Sequence, residues 1–412
     1  MNAEKLNRFS SWQVLSAIAL GTFAIEIGCA VDKDTTDSEP VYADEPEVRD
    51  ALTGMLADAW PFAIAPALTR AETAAASLRD AAAAWNDSAG SDETRLATQD
   101  AWVGAMTAWQ ELEVMQVGPA ASALKAEAGE SIRDDIYSWP TVNACRIDQI
   151  TSRKEYLEDD FFDDAIINSY GLDGLETVLF SEPNENSCSS NSGINREGTW
   201  DALGAEGIAA ARAELGELLA QRVVDDLQRI RDGWEGGFAD ELATAGDGST
   251  VFDTSVKGVN AIYDGLFYLE TFVKDRKLGW PLGLRACGAD DCADKVESLM
   301  AGKSNDWLAA NLVGFRALFS GGDLDGEEGI GMYELLVSVE EESLADDVMA
   351  KLDAADAAVG SLTDPLNDSL TTDPEALDAA HAAVKALTDL LKVDIATVLA
   401  LEVPAEAAGD ND

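Results

Sequence analysis

Two carboxylates in the run Tyr170-Gly-Leu-Asp-Gly-Leu-Glu-Thr-Val-Leu-Phe180 have types and spacing that could do chemistry. Side chains three apart on a helix are neighbours, so Asp173 and Glu176 share one face. The flanking Leu172, Leu175, Val178, Leu179 and Phe180 mark the segment for burial. Carboxylates are almost never fully buried unless they are paired, hydrogen-bonded or bound to a metal. Two roles follow. The pair either contributes hard oxygen ligands to a cation, or accepts hydrogen bonds from Trp, Tyr, Lys or Arg donors and locks helices together, with Lys277, Arg285 and Arg146 available for that. A second segment, Gly265-Leu-Phe-Tyr-Leu-Glu-Thr271, agrees with Gly171–Thr177 at five of seven positions. If this is an internal repeat, Glu270 is the pseudo-symmetric candidate for a third ligand.

Hydrolytic machinery is hard to assemble from the remaining residues. A catalytic zinc wants about three protein ligands, chiefly His, and an open position. The chain has one histidine, His381, in Asp378-Ala-Ala-His-Ala-Ala-Val384, where it reads as an ordinary helix-surface residue. There is no His-Glu-x-x-His and no Gly-x-Ser-x-Gly elbow. The acidic stretch Asp323-Leu-Asp-Gly-Glu-Glu-Gly-Ile-Gly-Met-Tyr-Glu334 places acids at positions 1, 3, 5 and 12 of a calcium loop, but Glu328 occupies position 6, where a sharp turn needs Gly. It reads better as a flexible acidic loop.

The elements that must position these groups are helical. Ala, Leu and Glu dominate, runs rich in Val, Ile and Thr are few, and no credible sheet appears. Helices are expected over 47–58, 66–86, 92–116, 160–180, 198–233, 253–276, 291–319 with a break near Gly302, 330–362 and 374–401. Ser91-Asp92-Glu93-Thr94 suits a helix start, Gly118-Pro119 a stop, and Thr372-Asp373-Pro374 the first turn of the last long helix. The Asn-, Ser-, Pro- and Gly-rich loop from Ser181 to Arg196 reads as a boundary between an N-terminal helical bundle, 47–190, and a C-terminal one, 191–405, ahead of an acidic tail at 406–412.

The chain of 412 residues is 47% hydrophobic, enough for substantial cores, yet its 78 acidic and 28 basic residues give a formal net charge of −50. Nucleic acid and anionic lipid surfaces are poor partners for such a field. The acids are spread along the chain, which favours a solvated surface suited to a salty medium over a field that gathers cations at one site. At the N-terminus Lys5 and Arg8 precede an uncharged stretch from Phe9 to Ile25, then Glu26-Ile27-Gly28-Cys29, a signal-peptide shape. Gly28-Cys29 is similar to a bacterial lipoprotein signal, in which the cysteine is lipidated and becomes the new N-terminus, although Glu26 stands where an apolar residue is usual. Residues 30–46 read as an acidic tether. An ordinary cleaved signal is the alternative, and both export the protein. Four further cysteines then suggest two disulfides with three possible connectivities. Cys287 with Cys292 closes a small loop and is favoured, leaving Cys145 with Cys188, on either side of the Asp173 helix.

Gly171, Asp173 and Glu176 resemble the Gly-x-His-x-x-Glu signature of the imelysin-like proteins, with Asp173 where the family has its histidine. The resemblance extends through Trp102, Trp109, Glu113 and Gly118-Pro119, through Trp139-Pro140 with Asn143, Cys145 and Asp148, and through Asp275-Arg-Lys277-Leu-Gly-Trp-Pro281-Leu-Gly283, Val296-Glu297-Ser298, Ser304 and Asn311-Leu312. It implies an all-α fold of two related four-helix bundles packed together, with the signature helix facing a pocket. It further implies an exported or lipid-anchored protein of the bacterial cell envelope, working beside envelope transport proteins, in a family associated with iron uptake and in places named as peptidases. Asp173 in place of a borderline nitrogen ligand turns any retained site toward hard cations such as ferric iron, calcium, magnesium or manganese. The expected function is binding of a metal ion or its chelate in support of uptake. The alternatives are a peptidase of the imelysin type and a structural or partner-binding envelope protein with a degenerate site.

Overall fold

A computed structural model describes residues 43, 45–287, 292–322 and 328–408. Cys29 with its signal-like segment, most of the expected tether, the acids Asp323, Asp325 and Glu327, and the last four residues of the tail lie outside the described residues. Among those described there is no β-strand, only an isolated bridge between Gly322 and Glu328.

The principal helices are α1 (Pro46–Asp58), α2 (Ala65–Asp87), α3 (Asp92–Glu113), α4 (Ile132–Ile136), α5 (Ala144–Arg153), α6 (Gly171–Phe180), α7 (Thr199–Gly233), α8 (Ser255–Leu266), α9 (Ser304–Ser320), α10 (Met332–Ser338), α11 (Glu342–Gly360) and α12 (Pro374–Leu390). Pro61 lies in the π-helical turn Ala59–Ile64 that joins α1 to α2. Proline offers no N–H to an α-helical ladder, and the wider turn accommodates that loss. Ser91 accepts the Thr94 N–H to start α3, and Asp373 accepts the Ala376 N–H to start α12. Gly118 ends the α3 region at φ +60°, where an added Cβ would meet the Phe238 ring at 2.4 Å.

Helices α2, α3, α6 and α7 pack on one another. A second set comprises the π-helical segment Leu269–Leu278 with α9, α11 and α12, and α3 packs against α9 to join the two sets. Helix α7 thus returns across the Ser181–Arg196 loop to pack with helices that precede it. Gly314 on α9 lets this join close, since a Cβ there would fall 2.0 Å from the Glu111 carbonyl oxygen. The core between the helices is rich in indoles: Trp85, Trp102, Trp109, Trp234 and Trp307 are all buried.

Several expected helices are shorter than their hydrophobic patterns. The run 160–180 is helical as one element only from Gly171, because φ +80° there breaks the path from the short turns before it. The run 291–319 becomes a continuous helix only at Ser304, after left-handed backbone at Ser298 and Gly302. The run 330–362 divides between α10 and α11, with Glu340 at φ +66° in the junction. Past Phe267, α8 gives way to the π-helical segment, which carries Glu270 and Lys277.

Candidate functional site

Helix α6 is set in place at its first residue. A Cβ at Gly171 would lie 2.6 Å from the Ile136 carbonyl oxygen, so only glycine permits both the left-handed turn and this approach to α4. The Trp102 indole N–H, from α3, donates to the Leu172 carbonyl at 2.9 Å, tying α3 to the start of α6. Leu172, Leu175, Val178 and Leu179 are buried around this frame, each contributing roughly 1.5–3 kcal/mol of transfer free energy.

Within that apolar surround Asp173 is 2% exposed and Glu176 5%. Ser138 donates its hydroxyl to Asp173 Oδ2 at 2.5 Å, and the Gly174 N–H reaches Asp173 Oδ1 at 3.0 Å. The Ala301 N–H, in the loop before α9, donates to Glu176 Oε1 at 3.0 Å. Neutral donors, not cations, thus meet these carboxylates. Burial pushes Asp173 up to about 7, against the hydrogen bonds from Ser138 and Gly174 and the more distant charge of Arg133. Burial also pushes Glu176 up to about 7, and the negative charges of Asp173 and Glu297 add to the rise.

The nearby cations are committed elsewhere. Lys277 Nζ pairs with Glu297 Oε2 at 3.0 Å and donates to Gln110 Oε1 at 2.6 Å and Asn311 Oδ1 at 2.8 Å. Glu297 also accepts from Tyr137 and Gln110. Arg133 pairs with Glu113 at 2.6 Å and donates to the Trp139 carbonyl at 3.1 Å. Burial works against the Arg133 charge, but Glu113 and Asp134 outweigh it and hold the guanidinium above its ordinary range. Burial and then the charges of Glu297, Glu176, Glu113 and Asp173 raise the Tyr137 phenol well above its ordinary value, so it serves as a proton donor. The whole cluster is a buried polar network in which two acid–base pairs flank a carboxyl pair that has no cation of its own.

Ser138 and Arg133 also line a cavity of about 520 Å³, together with Trp139, Tyr268, Phe272 and Arg276. Because Ser138 gives its proton to Asp173, its oxygen lone pairs are left for whatever enters. Trp139 meets Trp280 at 6.1 Å between ring centroids beside this opening. Neither Asp173 nor Glu176 lines the cavity.

Asp173 and Glu176 are neighbours, as their spacing predicts. The expected partners are different: Arg146 pairs with Glu155, Arg285 with Asp275, and Lys277 with Glu297. Glu270 is held by Lys274 at 2.8 Å and Lys392 at 2.6 Å. Burial pulls Glu270 upward, but these two ammoniums outweigh it and keep the carboxylate below its ordinary range. Both ammoniums bind Oε1, neutralising the carboxylate, and none of its contacts reaches Asp173 or Glu176. Among the described residues no group of three or more His, Cys, Asp and Glu side chains is arranged to hold a metal ion. His381 is half-buried on α12, and Glu334 accepts the Gly331 N–H at 2.8 Å as a helix cap. Cys145 is bonded to Cys188 and Cys287 to Cys292, with Cα separations of 4.5 and 6.1 Å. Sequence reasoning missed Ser138, Tyr137 and Arg133 as members of the site. Glu297 was visible only through the family resemblance.

Comparison with known proteins places these features in a wider group. The family model described as Imelysin, Peptidase_M75, matches residues 64–393. No curated protein matches the sequence. A crystal structure assigned as an iron-regulated protein A precursor from Parabacteroides distasonis ATCC 8503 is similar at a TM-score of 0.66 and 18% identity, covering 88% of this chain and 96% of that one. An Imelysin-like protein from Psychrobacter arcticum 273-4 is similar at a TM-score of 0.59 and 18% identity, covering 87% and 96%. At these identities the likeness to the solved structures shows the fold.

Proposed function

The chain belongs to the imelysin family, and from that premise we propose that it is an exported cell-envelope protein that binds a metal cargo, iron foremost, as a complex with a small chelator and supports its uptake. The observation that supports this most is the Ser138–Asp173 hydrogen bond. It sets a buried carboxyl, titrating near neutrality, directly behind the wall of a 520 Å³ cavity. A bare cation would need more ligands than Asp173 and Glu176 supply. A chelated one brings its own donors and needs only a shaped cavity with a few polar contacts. The Parabacteroides distasonis neighbour is described as iron-regulated, which favours iron over the other hard cations. In this reading Cys29 anchors the mature chain by lipid, and envelope transport proteins are its partners. Peptide hydrolysis is less well supported, because Asp173 and Glu176 titrate in a useful range yet do not line the cavity where a substrate would sit.

The test is elemental analysis of the full chain purified from its native envelope, beside D173A/E176A. Iron retained by the first and lost by a folded double variant is the expected result. Equal iron in both, or none in either, would sink the proposal.

A further inference from the structure

Among the described residues one cation on the cavity wall, Arg276, stands without the ion pair that its neighbours on the wall have. Lys125 pairs with Glu406 at 2.5 Å, and Arg133 pairs with Glu113 and with Asp134, the latter at 2.9 Å. Arg276 is half-buried, and among the described residues no carboxylate lies within ion-pair reach of its guanidinium and it donates no hydrogen bond. Its sequence neighbour Asp275 is taken by Arg285 and Lys274. Instead Arg276 lies over the Phe272 ring, 4.2 Å from its centroid, and 5.7 Å from that of Trp280. Arg133 lies over the same Phe272 ring at 4.8 Å. Two guanidiniums therefore share one phenyl group in a chain whose acids outnumber its bases 78 to 28.

Burial and then the Arg133 charge press the Arg276 guanidinium below its ordinary range. With 78 acids available, an internal partner would have been easy to place. Of the other acids on the wall, Asp134 and Glu406 are paired with Arg133 and Lys125 and act on Arg276 only at a distance, and Asp264 is pushed up to about 7 by burial, with the charges of Glu402 and Glu406 adding to the rise. Deeper in the wall the buried Tyr268 hydroxyl lies beside Glu113, and burial, followed by the Glu113 charge, raises the phenol well above its ordinary value. Tyr268 itself stacks on Phe272 at 4.8 Å with the rings 2° from parallel. The wall thus offers aromatic side chains, a planar guanidinium fork that makes no hydrogen bond among the described residues, and room for a small organic molecule.

We propose that this cavity binds a small organic carboxylate, held in the plane of the Arg276 guanidinium beside Phe272 and Trp139, and that a hydroxyl elsewhere on the guest, as citrate carries, donates to the Ser138 oxygen. A guanidinium matches a carboxylate with two parallel hydrogen bonds, which a point charge does not reproduce. The net charge of −50 repels such an anion at a distance. Salt screens that repulsion beyond about 10 Å at 0.1 M while leaving the short contact, so the cavity can still win locally. The inference uses the same cavity as the proposed function but does not depend on a metal.

The experiment is calorimetric titration of the full chain with citrate and with benzoate, both metal-free, with inorganic sulfate as the control anion, followed by ferric citrate. At least one carboxylate should bind tighter than about 1 mM, sulfate should bind more weakly, and R276Q should lose roughly tenfold or more in affinity. R276K, which keeps the charge but not the planar fork, should fall between the two and replaces R276Q if the latter does not fold. Absence of carboxylate binding to the folded wild type, binding unchanged in the variants, or sulfate binding as well as the carboxylates would each overturn the proposal. Metal-free citrate binding without any preference for ferric citrate would support the carboxylate site while counting against the metal cargo, so the two readings fail separately.

Discussion

Asp173 and Glu176 owe their high titration range to neutral company. Ser138, Gly174 and Ala301 offer hydrogen bonds but no countercharge, so the cost of desolvation prevails over them. The sign of the consequence is fixed. A carboxyl whose folded pKa is raised to about 7 binds its proton more tightly in the folded state than in the unfolded one. Its contribution is complete below the ordinary carboxylate range and is lost as pH rises through about 7. The two groups influence one another, so they titrate as a pair. Unfolding by denaturant should show the wild type losing on the order of 3 kcal/mol for each of the two groups between about pH 4.5 and about pH 7.5. D173N should lose visibly less and be the more stable protein at the upper pH. Parallel curves for the two would contradict the assignment. Gly171 permits a second prediction at this scale. G171A places a Cβ against the Ile136 carbonyl and forces a side chain into left-handed backbone. It should cost about 2–4 kcal/mol in the same assay, and a loss below about 0.5 kcal/mol would mean that α4 yields easily.

At the scale of elements, the Cys145–Cys188 bridge ties α5 to the loop that follows α6, across 43 residues of chain. The same junction is held by the Ser187 N–H on Asp148 at 2.6 Å. C145S/C188S should lower stability by about 2–4 kcal/mol, measured by denaturation against wild type under non-reducing conditions. No change would show that the hydrogen bonds suffice. Helix identity was readable from composition and punctuation, since Ser91 and Asp373 cap the helices they were expected to start. The interruptions were not readable. Gly171 is left-handed because α4 approaches it, and Ser298 and Glu340 take positive φ without being glycine, so neither carries a local signal. The site divides in the same way. Asp173 and Glu176 meet by helical spacing, a local rule, but their hydrogen-bond partners Ser138 and Ala301 lie 35 and 125 residues away in sequence. Glu270 misled for a related reason: a repeat in sequence says nothing of Lys392, which arrives from the far end of the chain to neutralise it.

For the whole molecule, a formal charge of −50 opposes the compact state. Many surface bases are already in ion pairs, as with Arg316 between Asp353 and Asp356, and cannot offset the remaining acids. Screening should therefore stabilise the fold more than it weakens those pairs. Calorimetric melting should show Tm rising by at least about 2 °C between low salt and roughly 0.5 M sodium chloride. A flat or falling Tm would mean that surface pairs outweigh the net repulsion. The same excess of acid makes the Arg276 wall a local exception, which composition alone could not reveal.

The contact between Trp139 and Trp280 has an optical consequence. Trp139 borders the cavity, and its neighbour lies against the Arg276 guanidinium, so a guest in the cavity alters the polarity and the charge around two coupled indoles at once. Occupancy should thus be visible as a change in emission that W280F diminishes, giving the protein a built-in fluorescent gauge of whether its cavity is filled.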